Sequence, residues 1–401
     1  MPAWQKCWAC GLAGNTEAES EPEPEPLLLS LPDHLLERVV SEVQGKNGLR
    51  GTCRSLRLTV NACTSALTWT HPGPSGTWRR GKLRVHLPAA LPAACPGIKL
   101  INCSGESAEP RLKFSLSSCP PSIQTLICHN TQARQLDRLA AFTMLQNLDC
   151  SSTPVADVGP LSACTLLQSL NCNCTAISDL GPLSACRLLQ ALHCNSTAVS
   201  DLGPLSACTL LQVLHCHCTA IADLGPLSAC TMLQLLDCGN SRVAELGPLS
   251  ACSRLQFLNC GHCLGLRGAG LGPLSACARL QVLDCSACRV SDLGPLSACT
   301  LLQTLNCRGC CQVSDLGPLS ACTRLHTVWV HATQVVDLSP LVPCTALVTL
   351  KCDCAVPLQQ VQHVQEACGG LDVKRLLVSD GPVGYMHVGG AQDFPPLHPP
   401  A

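Results

Sequence analysis

The sequence predicts an α/β fold: a right-handed solenoid of parallel strands, bent into a horseshoe with its sheet on the concave side, behind a small helical module. Three observations predict it. The chain repeats itself every 22 residues, as in LQSLNCNCTAISDLGPLSACRL from Leu167 and LQVLHCHCTAIADLGPLSACTM from Leu211. Each unit opens on an apolar alternation of period two, the pattern of a half-buried strand. Each closes on Gly-Pro-Leu-Ser-Ala-Cys, where proline suits the first helical position and the stretch is long enough only for a tight turn of helix.

In chain order, residues 1–26 read as a disordered, acidic and proline-rich N-terminus, because EAESEPEPEP carries charge and no apolar residue. Residues 27–70 read as the helical module. There Leu31, Leu35, Leu36, Val39, Val40 and Val43 keep helical spacing, and Ser30 with Asp33 three residues on marks a helix start. Gly45 and Gly48 end that helix, and the stretch from Leu49 to Trp69 is read as a second one. Residues 71–97 form a connector.

The solenoid spans 98–354 in about twelve units. They start at Leu145, Leu167, Leu189, Leu211, Leu233, Leu255, Leu280, Leu302, Leu325 and Leu347, with more degenerate units at Ile98 and Ile123. One unit buries too few apolar side chains to offset the ordering of its own backbone, so units must stack and the two ends must differ. Residues 355–378 read as a C-terminal cap, with Leu358, Val361 and Val364 on one helical face and LDVKRLLV as a last strand. The tail, 379–401, reads as disordered.

These units resemble the leucine-rich-repeat family, whose pattern is L-x-x-L-x-L-x-x-N/C-x-L, here with cysteine in place of the third leucine. Alternation along such a strand turns Leu211, Leu214 and Cys216 inward and Val213, His215 and His217 onto the concave face. About 40 residues in front of the repeats resemble the F-box family: Leu31-Pro32-Asp33, Leu35-Leu36, Val39-Val40, Leu49-Arg50, Cys53-Arg54 and the closing Leu67 to Trp69. The segment between the two helices is shorter than that family usually has, and Leu56 stands where an aromatic is common. The resemblance implies docking onto the Skp-type adaptor of a cullin ubiquitin ligase through Leu31, Pro32, Leu36, Val39 and Val40, with a protein substrate held by the horseshoe. It also implies that the ligase chemistry lies in other subunits. Two alternatives stay open: the module only caps the first repeat, or the solenoid is a scaffold unconnected with ubiquitin, as in a signalling or ciliary and axonemal assembly.

Composition narrows the partners. With 26 basic and 27 acidic residues and no basic block, the chain is not expected to bind nucleic acid. No run of about 18 apolar residues and no signal-peptide core is present, so a cytoplasmic protein is expected, with nucleus or cilium as further compartments, and no membrane partner. The 34 cysteines follow the repeat. One ladder runs from Cys103 to Cys352 at an inward strand position and a second from Cys164 to Cys344 on the convex side. Stacked strands hold equivalent Cα atoms ~4.8 Å apart, closer than the ~5.5–6 Å a disulfide prefers, so free buried thiols are expected.

The outward strand positions give the candidate partner-binding surface: Asp149, Asn171, His193, His215, His217, Asp237, Asp284, Asn306, Arg308, Trp329 and His331. Trp329 is the natural anchor, since exposed aromatics dominate interface energetics. His193, His215 and His217 with Asp237 could converge on a metal, but a polar binding surface is the simpler reading, and no metal is assigned. The C-x-x-C pairs Cys260/Cys263, Cys285/Cys288 and Cys307/Cys310 fall on interior repeat positions, and Cys7/Cys10 has no downstream partner pair. No nucleophile-base-acid set or phosphate loop stands out from the repeat, so neither catalysis, a cofactor nor a small-molecule substrate is expected.

Overall fold

The computed structural model describes residues 121–131 and 136–376, and before them the strands β1 (Arg57–Asn61), β2 (Ala66–Thr70), β3 (Arg84–His86), β4 (Leu100–Asn102) and β5 (Lys113–Ser115). Leu31, Pro32, Leu36, Val39 and Val40, and the first helix expected around them, lie outside the described residues, as do both terminal segments read as disordered and the Cys7/Cys10 pair.

The helix expected from Leu49 to Trp69 is not what forms over 57–70. Instead β1 and β2 make an antiparallel hairpin, from Arg57 opposite Thr70 to Asn61 opposite Ala66, and β2 pairs in parallel with β4. The reason is twofold. Thr59, Val60, Thr68, Trp69 and Thr70 are β-branched or aromatic residues suited to a pleated surface. The first repeat strand also presents an edge of unpaired N–H and C=O groups, which the hairpin covers. The stretch read as a connector holds β3, which pairs in parallel with β5 of the first repeat unit.

From there one strand per unit extends the sheet: β6 (Thr125–Ile127), β7 (Asn147–Asp149), β8 (Ser169–Asn171), β9 (Ala191–His193), β10 (Val213–His215), β11 (Leu235–Asp237) and β12 (Phe257–Asn259). The short β13 (Arg267–Gly268) and β15 (Arg289–Val290) pair with each other beside it. β14 (Val282–Asp284), β16 (Thr304–Asn306), β17 (Thr327–Trp329), β18 (Thr349–Asp353) and β19 (Asp372–Leu376) complete a sheet of 15 strands among the described residues. Pairing is parallel and in register from unit to unit: Leu214 stands opposite Leu192 on one side and Leu236 on the other.

The returning half of each unit is a 3₁₀ helix such as Gly225–Ala229, and its geometry follows from the sequence. Asp223 Oδ1 accepts the Gly225 N–H at 2.7 Å, Pro226 presets the first turn, and Ser228 Oγ donates to the Gly225 carbonyl at 2.7 Å. A Cβ on Gly225 would lie 3.0 Å from that carboxylate, so the glycine makes room for the aspartate. Where Glu245 replaces the aspartate, Gly247 has open space instead.

Between strand and 3₁₀ helix lies a core without a polar break. Leu211, Leu214, Cys216, Ile221, Leu227 and Cys230 are all fully buried, and the same positions are buried in the neighbouring units. The described cysteines are free thiols. In the convex ladder each thiol reaches back one unit: Cys208 Sγ donates to the Leu183 and Cys186 carbonyls at 3.5 and 3.6 Å. Cysteine thus fills an apolar site while supplying a weak second donor to carbonyls that already accept a backbone N–H.

Three residues past the end of each repeat strand from β6 to β12 stands a residue with left-handed backbone, among them Cys174 (φ 56°), Cys218 (56°), Asn240 (51°) and His262 (60°). One such residue per unit turns the chain off the sheet while its N–H still bonds the next unit, as Cys218 does to the Gly239 carbonyl at 3.0 Å. After the last 3₁₀ helix, α1 (Leu358–Ala367) buries Val361 and Val364, and β19 closes the sheet against β18.

Candidate functional site

The in-register strands line up two columns of side chains on the concave face. One column runs Asp149, Asn171, His193, His215, Asp237, Asn259, Asp284, Asn306, Trp329 and Lys351 along the third position of each strand. The second, two residues further along each strand, includes Asn173, Asn195, His217, Ser286, Arg308 and His331. The candidate residues from Asp149 to His331 all fall on these two columns.

The register brings the histidine cluster together. His193 and His215 stack with ring centroids 4.7 Å apart and planes 13° from parallel. His215 Nδ1 lies 3.7 Å from Asp237 Oδ2, and His217 Nδ1 lies 3.4 Å from Asp237 Oδ1. His217 Nδ1 is buried and its approach to the carboxylate is an ion-pair contact rather than an aligned hydrogen bond. Asp237 also accepts the Asn259 amide at 2.9 Å and the Gly239 N–H at 3.2 Å.

Electrostatics divide these imidazoles. Burial, aided by the neighbouring His215, lowers the pKa of His193 to about 4, so its ring is neutral near pH 7. Burial also acts against a charge on His217, but Asp237 and Cys218 outweigh it and raise its pKa to about 10. Burial would raise Asp237, yet the His215 and His217 imidazoles beside it bring it down to about 2. The cluster therefore presents one fixed imidazolium, His217, braced by one carboxylate.

Further along, Asn306 Nδ2 donates to Asp284 Oδ2 at 2.9 Å, and Asp284 Oδ1 accepts the Ser286 N–H at 2.8 Å. Asp284 and Asn306 are almost wholly buried, so these two candidates brace the face more than they display it. The Arg308 N–H is held by Asn306 Oδ1 at 3.2 Å. Lys351 Nζ sits 3.9 Å from the centroid of the half-buried Trp329 ring. Burial lowers the pKa of His331 to about 4, with Arg308 and Lys351 adding to the effect.

Several residues of this face escaped the sequence reading. Asn173 Oδ1 accepts the Asn195 N–H, and Asn195 Oδ1 the His217 N–H, each at 2.7 Å, so two amides chain three units together. Gly239 is required: a Cβ there would stand 2.8 Å from His217 Nδ1. Ala191, Leu235 and Phe257 continue the outward Val213 into a half-buried apolar stripe beside the histidines. The repeat alignment holds the signal for all of these, since each occupies the same unit position as a candidate or its neighbour. Among the described residues, no group of three His, Cys, Asp or Glu side chains is arranged to hold a metal ion.

The family model for leucine-rich repeats in two copies matches residues 143–185 and 278–321. No curated protein matches the chain in sequence. Among solved structures, an internalin (inlF) of Listeria monocytogenes is 18% identical with a TM-score of 0.55, over 79% of this chain and 94% of that one. A leucine-rich-repeat protein of Leptospira interrogans is 12% identical with a TM-score of 0.61, over 73% and 81%. The functional domain of InlJ from Listeria monocytogenes, described as including a cysteine ladder, is 19% identical with a TM-score of 0.51, over 65% and 64%. Repeat model and fold agree: this chain is built from leucine-rich repeats stacked as a parallel-stranded leucine-rich-repeat solenoid.

Proposed function

We propose that the chain is a protein-interaction solenoid that holds a protein partner on its concave face. The observation that carries this is the preorganisation of that face. From Asp237 to Asn306 its polar groups are fixed by one another, so a partner meets side chains whose ordering cost is already met. The apolar stripe from Ala191 to Phe257 and the Trp329–Lys351 pair supply desolvated contact at the centre and towards one end. Affinity purification with the full chain, repeated with Trp329→Ala, Asp237→Asn and the convex substitution Ser228→Glu, tests it. Partners should be lost with the first two and kept with the third. An unchanged partner set in the concave variants would sink the reading.

A finer reading makes the chain the substrate-recognition subunit of a cullin, Skp and F-box type ubiquitin ligase, working in the cytoplasm. It is supported by the motif residues Leu31, Pro32, Leu36, Val39 and Val40, placed ahead of the repeats. Strands occupy 57–61 and 66–70, so the second helix of that motif does not form over them. Binding to purified Skp adaptor, abolished by Pro32→Ala with Leu36→Ala, is the expected outcome. If instead deletion of residues 1–54 leaves all partners bound and no adaptor is found, the ubiquitin-independent scaffold stands.

A further inference from the structure

Four arginines that lie far apart in the sequence meet along one rim of the solenoid, where the chain leaves the concave sheet. Arg267 and Arg289 stand in register on the paired strands β13 and β15, so their side chains leave on the same face with Cα atoms ~4.8 Å apart. Arg242 belongs to the turn before. A Cβ on Gly265 would stand 2.9 Å from that of Ala244, and Gly265 and Arg242 both line an open depression of about 370 Å³ with Asn240, Ser241 and His262. Arg308 belongs to the turn after, its carbonyl accepting the Ala287 N–H at 2.7 Å.

The row has no counter-charge. Arg242, Arg267 and Arg289 are exposed and Arg308 is half-buried, and among the described residues none of the four is ion-paired. Carboxylates on these turns are engaged elsewhere: Asp284 accepts the Ser286 N–H and the Asn306 amide, and Asp292 accepts the Gly294 N–H. Glu245 stands at the convex position that Asp223 holds one unit earlier. Like charges side by side on neighbouring strands repel, and an anion laid along the row relieves that repulsion.

We propose that this arginine rim is the docking surface for an acidic segment of the same chain, residues 17–25. That segment reads EAESEPEPE, with five glutamates on alternate positions and no basic residue. Its prolines favour an extended, polyproline-like chain of about 3.1 Å per residue, which sets Glu21 and Glu25 ~12 Å apart. Three strand steps from Arg242 to Arg308 cover ~14 Å, so the two rows match in length. Reach is ample. The chain from Glu25 to Arg57, where β1 starts, extends to at most ~110 Å, against ~53 Å for the strand steps from β1 to β16. An acidic partner approaching this end of the concave face therefore competes with the chain's own segment.

The test adds a fluorescent peptide of residues 16–26 to the full-length protein at about 50 mM salt, where charges are weakly screened, and follows its anisotropy. The unsubstituted protein should bind it weakly, because its own segment fills the rim. Full-length protein carrying Glu17→Gln, Glu19→Gln, Glu21→Gln, Glu23→Gln and Glu25→Gln should bind it at least tenfold tighter. Adding Arg267→Gln and Arg289→Gln to that variant should cancel the gain, whereas adding Arg187→Gln, an exposed arginine of an earlier unit, should preserve it. Equal binding by the unsubstituted protein and the five-glutamine variant overturns the proposal, and that comparison leaves every folded residue untouched. A gain that survives loss of the arginine pair overturns it as well. Retention of the unsubstituted protein on single-stranded RNA at about 200 mM salt would assign the rim to nucleic acid instead.

Discussion

Lys351 Nζ stands 3.9 Å from the centroid of the Trp329 ring, one strand further along the sheet and in register with it. The ammonium thus lies over the ring of the half-buried indole. An exposed cation–π pair contributes about 0.5–1 kcal/mol. Lys351→Met should therefore lower stability by no more than about 1 kcal/mol in urea unfolding. Trp329→Ala should weaken partner affinity by about 2 kcal/mol or more, roughly thirtyfold, in a titration with a purified partner. A partner that binds both variants as tightly as the parent protein would remove Trp329 from the interface.

The stacked pair His193 and His215 makes the molecule acid-sensitive. The folded pKa of His193 is depressed to about 4, so between there and about 6.5 the unfolded chain binds more protons than the native one and stability falls with falling pH. From pH 6.5 to 5 this residue accounts for at most about 1.5 kcal/mol, and His331 acts in the same direction. His217 works on the other side: raised to about 10, it stabilises fully below about 6.5 and loses that contribution as pH climbs through 10. Urea midpoints across pH should show His193→Gln flattening the acid limb alone and His217→Gln the alkaline limb alone. Identical profiles for the two variants would refute the assignment.

Gly239 and Gly247 offer a matched pair of substitutions. A methyl group on Gly239 meets His217 Nδ1 at 2.8 Å and the Asn259 amide at 3.0 Å, whereas on Gly247 it meets nothing within 4 Å. Gly239→Ala should cost about 1–3 kcal/mol and displace the His217 ring, visible as a shifted imidazole titration by NMR. Gly247→Ala should be neutral or stabilising by about 0.4–1 kcal/mol, since it only restricts the unfolded chain.

The thiols divide by burial. In the folded protein an aromatic disulfide reagent should reach Cys174, Cys218, Cys311 and Cys354 among the described cysteines, and the ladder thiols only after denaturation. Burial pushes Cys150 up to about 12 and Cys208 up to about 11, so even a reagent that penetrates finds thiol and not thiolate. Rapid labelling of Cys150 or Cys208 under native conditions would show that the units open locally.

The repeat made the strands, the inward Leu211, Leu214 and Cys216 and the outward His215 and His217 legible, because a side chain's face follows from period two alone. The hairpin over 57–70 was not legible. Leu58 and Leu67 suit a strand or a helix equally, and the strand preference of Thr59, Val60 and Thr68 is realised only with the sheet edge, a tertiary partner. Lateral relationships were also hidden. That His193 stacks on His215 depends on rotamers, and the contact of Asn240 Nδ2 with the Cys218 sulfur appears only once residues 22 apart are placed side by side.

One substitution within the repeat changes how the coil bears load. In the early units the residue three after the strand cysteine is threonine, which bonds back within its own unit: Thr175 Oγ1 to the Cys172 carbonyl and Thr197 Oγ1 to that of Cys194, each at 2.7 Å. From Cys263 to Cys310 it is cysteine, and the donor reaches across the seam: Cys263 to Cys238, Cys288 to Cys260 and Cys310 to Cys285, at 3.3, 3.1 and 3.1 Å. The short pair β13 and β15 spans one of these same seams. At this position a threonine turn closes on itself, whereas parting a cysteine turn from its neighbour breaks a contact with the unit before it.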